Sequence, residues 1–541
     1  MFPVFRLIAF ASYLAVFALA SSEVQAQPGG PGGIGGPNGV DVDLVEKFDA
    51  DKNGRLNETE RALARKEIIR LQSNSQGRRR GRGGPPGGGR GGSRPKGTQG
   101  PKVTPADVTN YTSEGLFDPG VLRTIFLTFE AKDWEKELQD FKPTDVEVPA
   151  TMMVDGKTYS NVGVSFRGAS SFFTIDEGSK RSFNISMDYQ DDEQNLYGYR
   201  SLNLLNGNGD ASMMSSALYS HFVSQHIPVP KVNFVKVVVN NRSWGIYANA
   251  QQFNKTFLKE HFDSSKGSRW KVPGSPRGDA GLRYLGEDVD QYRSRFDIKS
   301  KDKPEAWESL INLCEVLNKT PQDQLVSKLE PLLDIDSVLW FLAYDVAFIN
   351  SDGYWTRASD YSIFLNEAGK FHIIPHDMNE SFREMHTRGG PDGGRGGRGR
   401  GGRRGGFGGP PQGGPGGPPG GGPGGPSQTE NGSGFELVPF ASMEDRFPLR
   451  SKLLAIPELK AKYLANLKSI ATNDLSPETF GPLVAKLRKL IEKEVKKDTR
   501  KLMSNSAFET ATKNDQKVGL NHFAAERSKY LLNYPAIKDS K

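Results

Sequence analysis

The sequence predicts an α+β protein with a helical C-terminal part and one helix-loop-helix ahead of its main domain. Between residues 104 and 383, strand-like runs alternate with segments of helical periodicity. From residue 448 to 530 the pattern is mostly helical, and one apolar stripe that includes Leu487 and Ile491 indicates a face buried in a core. The chain has 541 residues, enough for two to four domains.

The N-terminus has the pattern of a secretory signal peptide, which we place at residues 1–26. Arg6 precedes an apolar run from residue 7 to 20, and small residues suited to cleavage follow. No later stretch is apolar enough to cross a bilayer. We therefore expect a secreted, periplasmic or cell-surface protein without a membrane span. Cys314 is the only cysteine, so an intrachain disulfide is impossible.

A calcium-binding loop is predicted within residues 41–76. Residues 49 to 60 place oxygen ligands at the spacing of an EF-hand, with Gly54 at the sharp turn. The predicted Ca²⁺ ligands are Asp49, Asp51, Asn53, the carbonyl of Arg55, Asn57 and Glu60. The alternative is an acidic surface turn that matches by chance. Because the sequence shows no second loop, this hand should bind weakly or pair with another molecule's hand.

Three Gly-rich tracts separate or interrupt the folded parts. They are a Gly/Pro linker at 27–40, an Arg/Gly-rich linker at 77–103 and a Gly/Pro/Arg insertion at 385–435, and their composition predicts disorder. Residues 77–102 carry +8 and residues 388–404 carry +5, so about −6 of the net +7 remains for the rest of the chain. The Arg tracts could bind anionic surface polymers, or serve only as solvated spacers. Nucleic-acid binding is not expected behind a signal peptide.

The main domain, residues 104–541, contains runs that we interpret individually. Strands are predicted at 162–166, 182–187, 201–205 and 232–239, and helices at 212–223, 305–317 and 335–348. Residues 361–365 and 371–375 flank a Gly-containing turn and predict a β-hairpin. If the turn is centred near Ala368, paired residues have numbers that sum to about 736.

This hairpin register predicts a metal site. It brings Asp360 and Asp377 together at the open end, where two carboxylates repel each other unless a cation lies between them. With Asn379 nearby, these oxygen ligands suit Mg²⁺ or Mn²⁺. Asp352, just before the hairpin, could act as a general base. The alternative is that these acids are solvated loop residues.

Several phrases, taken together and in order, resemble the spore-coat protein H (CotH) family of secreted atypical protein kinases. The resemblance covers roughly residues 110 to 530. The phrases are 166–171 (Phe-Arg-Gly-Ala-Ser-Ser), 180–183 (Lys-Arg-Ser-Phe), 202–206 (Leu-Asn-Leu-Leu-Asn) with Asp210, 237–241 (Val-Val-Val-Asn-Asn), 244–247 (Trp-Gly-Ile-Tyr) and 375–382 (Pro-His-Asp-Met-Asn-Glu-Ser-Phe).

The resemblance implies a two-lobed, protein-kinase-like fold that uses ATP with a divalent metal to phosphorylate protein hydroxyls. By the kinase template, Asp352 would orient or deprotonate the acceptor hydroxyl, and Asp360 and Asp377 would bind Mg²⁺. Candidate nucleotide-binding cations are Arg167, Lys180 and Lys271. Each of the three could instead be a strand-edge or solvated cation, and outside the Gly-rich tracts the chain has no Gly-x-Gly-x-x-Gly phosphate loop.

Four positions depart from the family pattern. Asp360 replaces the usual Asn, His376 a common Trp, Asn379 a usual Asp, and Gln251 a frequent Glu. These departures keep open a second hypothesis from another class. In that hypothesis the chain is a non-catalytic, calcium-binding surface, matrix or adhesin-like protein on the same fold.

Overall fold

The fold is taken from a computed structural model that describes residues 42–79, 97–274, 278–384, 437, 439, 446–515 and 517–539. The predicted signal peptide, the linker at 27–40, most of the linker at 77–103 and the insertion at 385–435 lie outside the described residues.

The described part of the chain starts with a helix-loop-helix that packs on the next unit. Helix α1 (Val45–Phe48) and helix α2 (Glu58–Arg79) flank the predicted calcium loop. The apolar residues Leu44, Leu56, Ala64 and Ile68 are buried in the same hydrophobic cluster as the interior of the following barrel. Their burial is the reason this short segment is folded, because α1 alone is a single turn.

Seven strands form a closed barrel. The strands are β1 (Arg123–Thr128), β2 (Val148–Val154), β3 (Lys157–Phe166), β4 (Phe183–Ser186), β5 (Ser201–Leu205), β6 (Val232–Val239) and β7 (Arg242–Ala250), in the order β1-β2-β3-β4-β5-β7-β6. All neighbouring strands are antiparallel except β6 and β1, whose parallel pairing closes the barrel. Helices α3 (Trp134–Asp140), α4 (Ser170–Phe173) and α5 (Ser215–Val223) lie in the connections.

A second sheet follows the barrel. Its strands are β8 (Gly267–Val272), β9 (Asp297–Ile298), β10 (Tyr361–Asn366) and β11 (Phe371–Pro375), in the antiparallel order β11-β10-β8-β9. The helices between β7 and β10 are α6 (Lys255–Phe262), α7 (Val289–Arg293), α8 (Pro304–Lys319), α9 (Gln322–Leu329), α10 (Ile335–Ala347) and α11 (Tyr354–Arg357).

The C-terminal part is helical and completes the larger core. Its helices are α12 (Pro448–Ser451), α13 (Pro457–Ser469), α14 (Pro477–Lys497), α15 (Asn505–Thr512), α16 (Gly519–Asn533) and α17 (Pro535–Lys538). The apolar stripe of α14 is buried as its periodicity predicts, with Val484, Leu487, Ile491 and Val495 in the core. Within the described residues, no helix combines the length and apolar character that a bilayer crossing requires.

These elements confirm the predicted mixture of helices and sheets. Each strand and helix predicted in the main domain overlaps an observed one. The hairpin is also confirmed, because Tyr361 pairs with Pro375 and Ile363 with Ile373, both sums being 736. Strands β1 and β2 were not predicted, although the barrel cannot close without them.

Candidate functional site

The open end of the β10–β11 hairpin carries two carboxylates, as the register predicts. Asp360 immediately precedes β10, and Asp377 lies two residues beyond β11. Both have left-handed backbone conformations, with φ of 54° and 53°. A non-glycine residue in this region is strained, and such strain clusters at functional sites. The electrostatic effect of Asp377 contributes to raising the pKa of Asp360.

Asp360 is almost fully buried. Its pKa is raised to about 8, first by burial and then by the neighbouring Asp377 and Asp352, while Lys271 opposes the shift. The Ser359 hydroxyl donates to its carboxylate at 3.2 Å. The backbone of Gly274 faces the same carboxylate so closely that a Cβ there would lie 2.9 Å from an oxygen. Asp360 is therefore held in place on one side and faces charged groups on the other.

Asp377 differs from Asp360 in that solvent reaches it. It is nonetheless closely surrounded by protein, which raises its pKa, while Lys271 and Arg167 act to lower it. The backbone amide of Asn379 donates to the same carboxylate. Asp377 is therefore an accessible carboxylate among charged groups of the protein, where a ligand can reach it, and we call the region formed by these charged residues the cleft.

Strand β8 brings Lys271 to this cleft. It pairs with β10 so that Lys271 faces Ser362, two positions from Asp360. The pKa of Lys271 is lowered to about 8, first by burial and then by the charge of Arg167, while both carboxylates oppose the shift. Arg167 follows β3 of the barrel. Burial lowers the pKa of Arg167, and the charge of Asp377 opposes this decrease. Two predicted phosphate partners thus meet the predicted metal ligands.

Asp352 is also part of the cluster. Its pKa is raised to about 6, mainly by burial, with Glu380 and Asp377 adding to the rise. Its carboxylate forms an ion pair with the half-exposed Arg357. A carboxylate poised near neutrality suits a residue that accepts a proton during a reaction.

Charged residues that sequence reasoning did not assign complete the cleft. Glu380 accepts from the Ser351 hydroxyl at 3.2 Å and forms an ion pair with Arg383 at 3.3 Å. Arg383 also donates to the Asn379 carbonyl at 2.6 Å and lies against Gly209, in the loop after β5. Arg357 and Arg383 each lie within a few residues of a predicted ligand, and this proximity is the only signal that could have indicated them.

Lys180 lies outside this cluster. Its ammonium group is fully buried and forms an ion pair of 2.6 Å with the buried Asp498, which follows α14. The same group lies 4.6 Å from the centre of the Tyr247 ring. Its charge is therefore neutralised within the protein, and the structure gives it no contact with the acids around Asp377.

His376, another departure from the family pattern, also borders the cleft. Burial and the nearby charges of Lys271, Arg167 and Lys299 hold its pKa well below the usual range. The imidazole is therefore neutral at physiological pH. The side chain of Gln251 is not part of the cleft and donates a hydrogen bond of 2.7 Å to Glu260.

Comparison with known proteins now bears on this site. A family model described as CotH kinase protein matches residues 164–531. The chain belongs to the CotH kinase family. The match includes Asp352, Asp360, Asp377, Arg167 and Lys271, and it begins within β3, so that β1, β2 and the helix-loop-helix precede it. No curated protein matches the sequence.

The donors of the CotH cleft fit a hard divalent cation bound together with phosphates. Asp360, Asp377 and Asn379 offer oxygen atoms, and Mg²⁺ needs only one or two carboxylates when waters and substrate phosphates supply the other ligands. Within the described residues, the acids of the cleft do not form a trio of ligand atoms within 4.8 Å of one another. A cage of three acidic ligands is therefore not present among these described residues.

The N-terminal loop does contain such a trio, formed by Asp49, Asp51 and Glu60. Glu60 is buried and accepts from the Ala50 and Asn57 amides, each at 2.9 Å. The Asp49 carboxylate accepts from Gly54 at 2.7 Å, where φ is 81°. This geometry fits a calcium ion, which takes several oxygen ligands in a flexible shell.

The remaining predicted calcium ligands are also in the loop. The Asn53 side chain accepts from the Arg55 amide at 3.0 Å, and the Asn57 side chain accepts from the Glu60 amide at 3.1 Å. The guanidinium group of Arg55 donates to the Tyr189 carbonyl of the barrel unit, which leaves the Arg55 carbonyl as the group that could face an ion. Leu56, the position that usually pairs two hands, is 2% exposed and packs into the barrel core.

Proposed function

We propose that this CotH-family chain is a metal- and ATP-dependent protein kinase with a two-lobed, kinase-like arrangement. It would transfer phosphate from ATP to Ser or Thr hydroxyls of a protein substrate. The observation that carries the proposal is the convergence of three acids and two cations from separate segments on one accessible cleft. Arg167 comes from the barrel, Lys271 from β8, and the acids from the segment around the hairpin.

Each residue has a role that its surroundings support. Asp352 orients the acceptor hydroxyl and accepts its proton. Asp360 and Asp377, with Asn379, hold Mg²⁺ or Mn²⁺, which supplies charge neutralisation for the phosphates. Arg167 and Lys271 then contact phosphate oxygens. Phosphoryl transfer depends mainly on placement and electrostatic stabilisation, so these residues suffice for the chemistry.

The test is transfer of label from γ-labelled ATP to the chain itself and to a dephosphorylated acceptor protein, with Mg²⁺ or Mn²⁺. We expect Asp377→Asn and Asp352→Asn each to lower transfer at least 100-fold without changing the melting temperature by more than a few degrees. Asp336→Asn is the control, because Asp336 is exposed on α10 and its ion pair with Lys462 lies at the surface. Equal transfer by the Asp377 and Asp336 variants would refute the proposal.

We also propose that the chain is secreted and that its helix-loop-helix binds calcium as an EF-hand. The trio Asp49, Asp51 and Glu60 supports calcium binding, and the apolar run after Arg6 supports export. Because Leu56 is buried against the barrel, the hand would be a fixed part of the catalytic unit and would not need a second hand.

A second candidate is a non-catalytic calcium-binding surface or adhesin-like protein. The ion pair between Asp352 and Arg357 favours it, since that contact occupies the carboxylate of the proposed base. Absence of label transfer, together with no stabilisation by ATP and Mg²⁺ and with retained calcium binding, would support this candidate.

A further inference from the structure

The loop that carries Asp352 rests on an acid that the proposed chemistry does not use. Asp345 belongs to α10 and is fully buried, with neighbours Tyr344 and Val346 equally buried. Burial raises the pKa of Asp345 to about 7, and the two groups that oppose this rise, the Trp355 amide and the Asn350 side chain, carry no charge. A buried carboxyl group without a charged partner is costly, so its contacts are informative.

These contacts lie on both sides of Asp352. The Trp355 amide donates to the Asp345 carboxylate at 2.6 Å, and the Asn350 amide donates to the Asp345 carbonyl at 2.9 Å. Gly353 passes so close that a Cβ at that position would lie 2.1 Å from a carboxylate oxygen of Asp345. Asn350, before Asp352, and Trp355, after it, are thus both held by Asp345.

The backbone around Asp352 needs such support. Ile349 and Ala358, at its two ends, are both in the left-handed region with φ of 48° and 51°. For residues with a Cβ this conformation is strained and persists only where surrounding contacts impose it. Asp352 itself points to the cleft and pairs with the half-exposed Arg357, which gives little positional restraint.

We propose that Asp345 is the positioning residue for Asp352: its carboxylate holds the backbone from Gly353 to Trp355 against α10 and thereby sets the place of Asp352 relative to Asp360 and Asp377. The proposal rests on the kinase function proposed above for the role of Asp352. Asp345 touches no substrate. Its contribution is to geometry, and a displacement of about 1 Å in a catalytic group can lower a rate roughly 100-fold.

The chain offers a matched control in Asp474. This acid is also buried, accepts a hydrogen bond of 2.9 Å from Tyr344, the neighbour of Asp345, and has its pKa raised by burial to about 6. Its hydrogen bond is to α10 and not to the loop. Asp345→Ala and Asp474→Ala, which remove the acceptor oxygens, should therefore affect the core similarly and the loop differently.

For Asp345→Ala we expect kcat to fall about 10- to 100-fold while KM for ATP changes less than about threefold. For Asp474→Ala, both constants should stay within about threefold of the wild-type values. Hydrogen–deuterium exchange of the full chain should show faster exchange at residues 350–357 in the Asp345 variant only. Equal effects of the two variants on kcat, or on exchange in this loop, would overturn the proposal.

The exchange experiment separates this inference from the proposed function. If the wild-type chain transfers no phosphate, the kinase proposal fails, and exchange alone decides whether Asp345 fixes the loop. Selective loosening at 350–357 then supports positioning, and unchanged protection refutes it.

Discussion

The buried ion pair between Lys180 and Asp498 allows a sharp test of which cations serve the nucleotide. Both side chains are essentially inaccessible to solvent, at 0% and 1%. When Lys180 is replaced by Met, the Asp498 carboxylate stays buried. It keeps the hydrogen bond of 2.9 Å that the Arg500 amide donates to it. Removing one partner of such a pair costs about 3–5 kcal/mol, so the free energy of unfolding of Lys180→Met should fall by that amount.

The double variant Lys180→Met with Asp498→Asn should recover most of this loss, because no buried charge is then left without a partner. Urea denaturation of the four proteins of the cycle measures the coupling. ATP affinity, measured by calorimetry with Mg²⁺, should change less than about threefold in both Lys180 variants. In Lys271→Met it should fall roughly 10- to 100-fold, the loss expected for a hydrogen bond to a charged group.

The opposite pattern would refute the reasoning. If Lys180→Met left the urea midpoint unchanged and weakened ATP binding tenfold or more, Lys180 would be a nucleotide ligand and the pair with Asp498 would not exist in solution.

Three further predictions concern other parts of the chain. Glu147 is buried and its pKa is raised to about 7, so its favourable contribution to the free energy of unfolding is complete below the pKa that Glu147 has in the unfolded chain and is lost as the pH rises through 7. Glu147→Gln should therefore flatten the fall in stability between pH 5 and 8, an effect on the order of 3 kcal/mol that urea melts at each pH would measure. Millimolar calcium should raise the melting temperature of the wild type and of Glu58→Gln but not of Glu60→Gln, since only Glu60 belongs to the ligand trio; an equal rise in both variants would exclude the loop. A fragment of residues 164–541, which starts where the family match starts, should aggregate on size-exclusion chromatography, while residues 42–541 elute as a folded species. The reason is that the shorter fragment lacks β1, β2 and most of β3 and exposes the edges of β6 and β4.

The sequence was most informative where local rules apply. A hairpin register follows from its turn, so the pairing of Tyr361 with Pro375 and the placement of Asp360 and Asp377 at the same end of the hairpin could be predicted without any structure. The predicted calcium loop depends on the same kind of rule, because its proposed ligands lie within twelve positions and each spacing has a geometric reason. In both cases the predicted residues lie close enough in the chain for backbone geometry to fix their distance.

Contacts between distant segments could not be predicted in this way. Lys271 reaches the cleft because β8 pairs with β10, about ninety positions later in the chain, and nothing in either strand identifies the other. Lys180 follows the same kind of strand-like pattern, yet its partner Asp498 lies 318 positions away. The position-8 residue Leu56 shows the same limit, because its apolar character predicts burial but not that the barrel would cover it.

The parallel pairing of β1 with β6 has a consequence for the way the barrel is assembled. Arg123 lies opposite Val235, so the first strand has no partner on one side until the ribosome has added more than a hundred residues. At about 5 to 20 residues per second, that interval lasts roughly 5 to 20 s. During it, β1 can form only the antiparallel ladder with β2. Closure of the ring is therefore a late event of biogenesis, and cellular factors that shield nascent strands have their longest opportunity to act on this first segment.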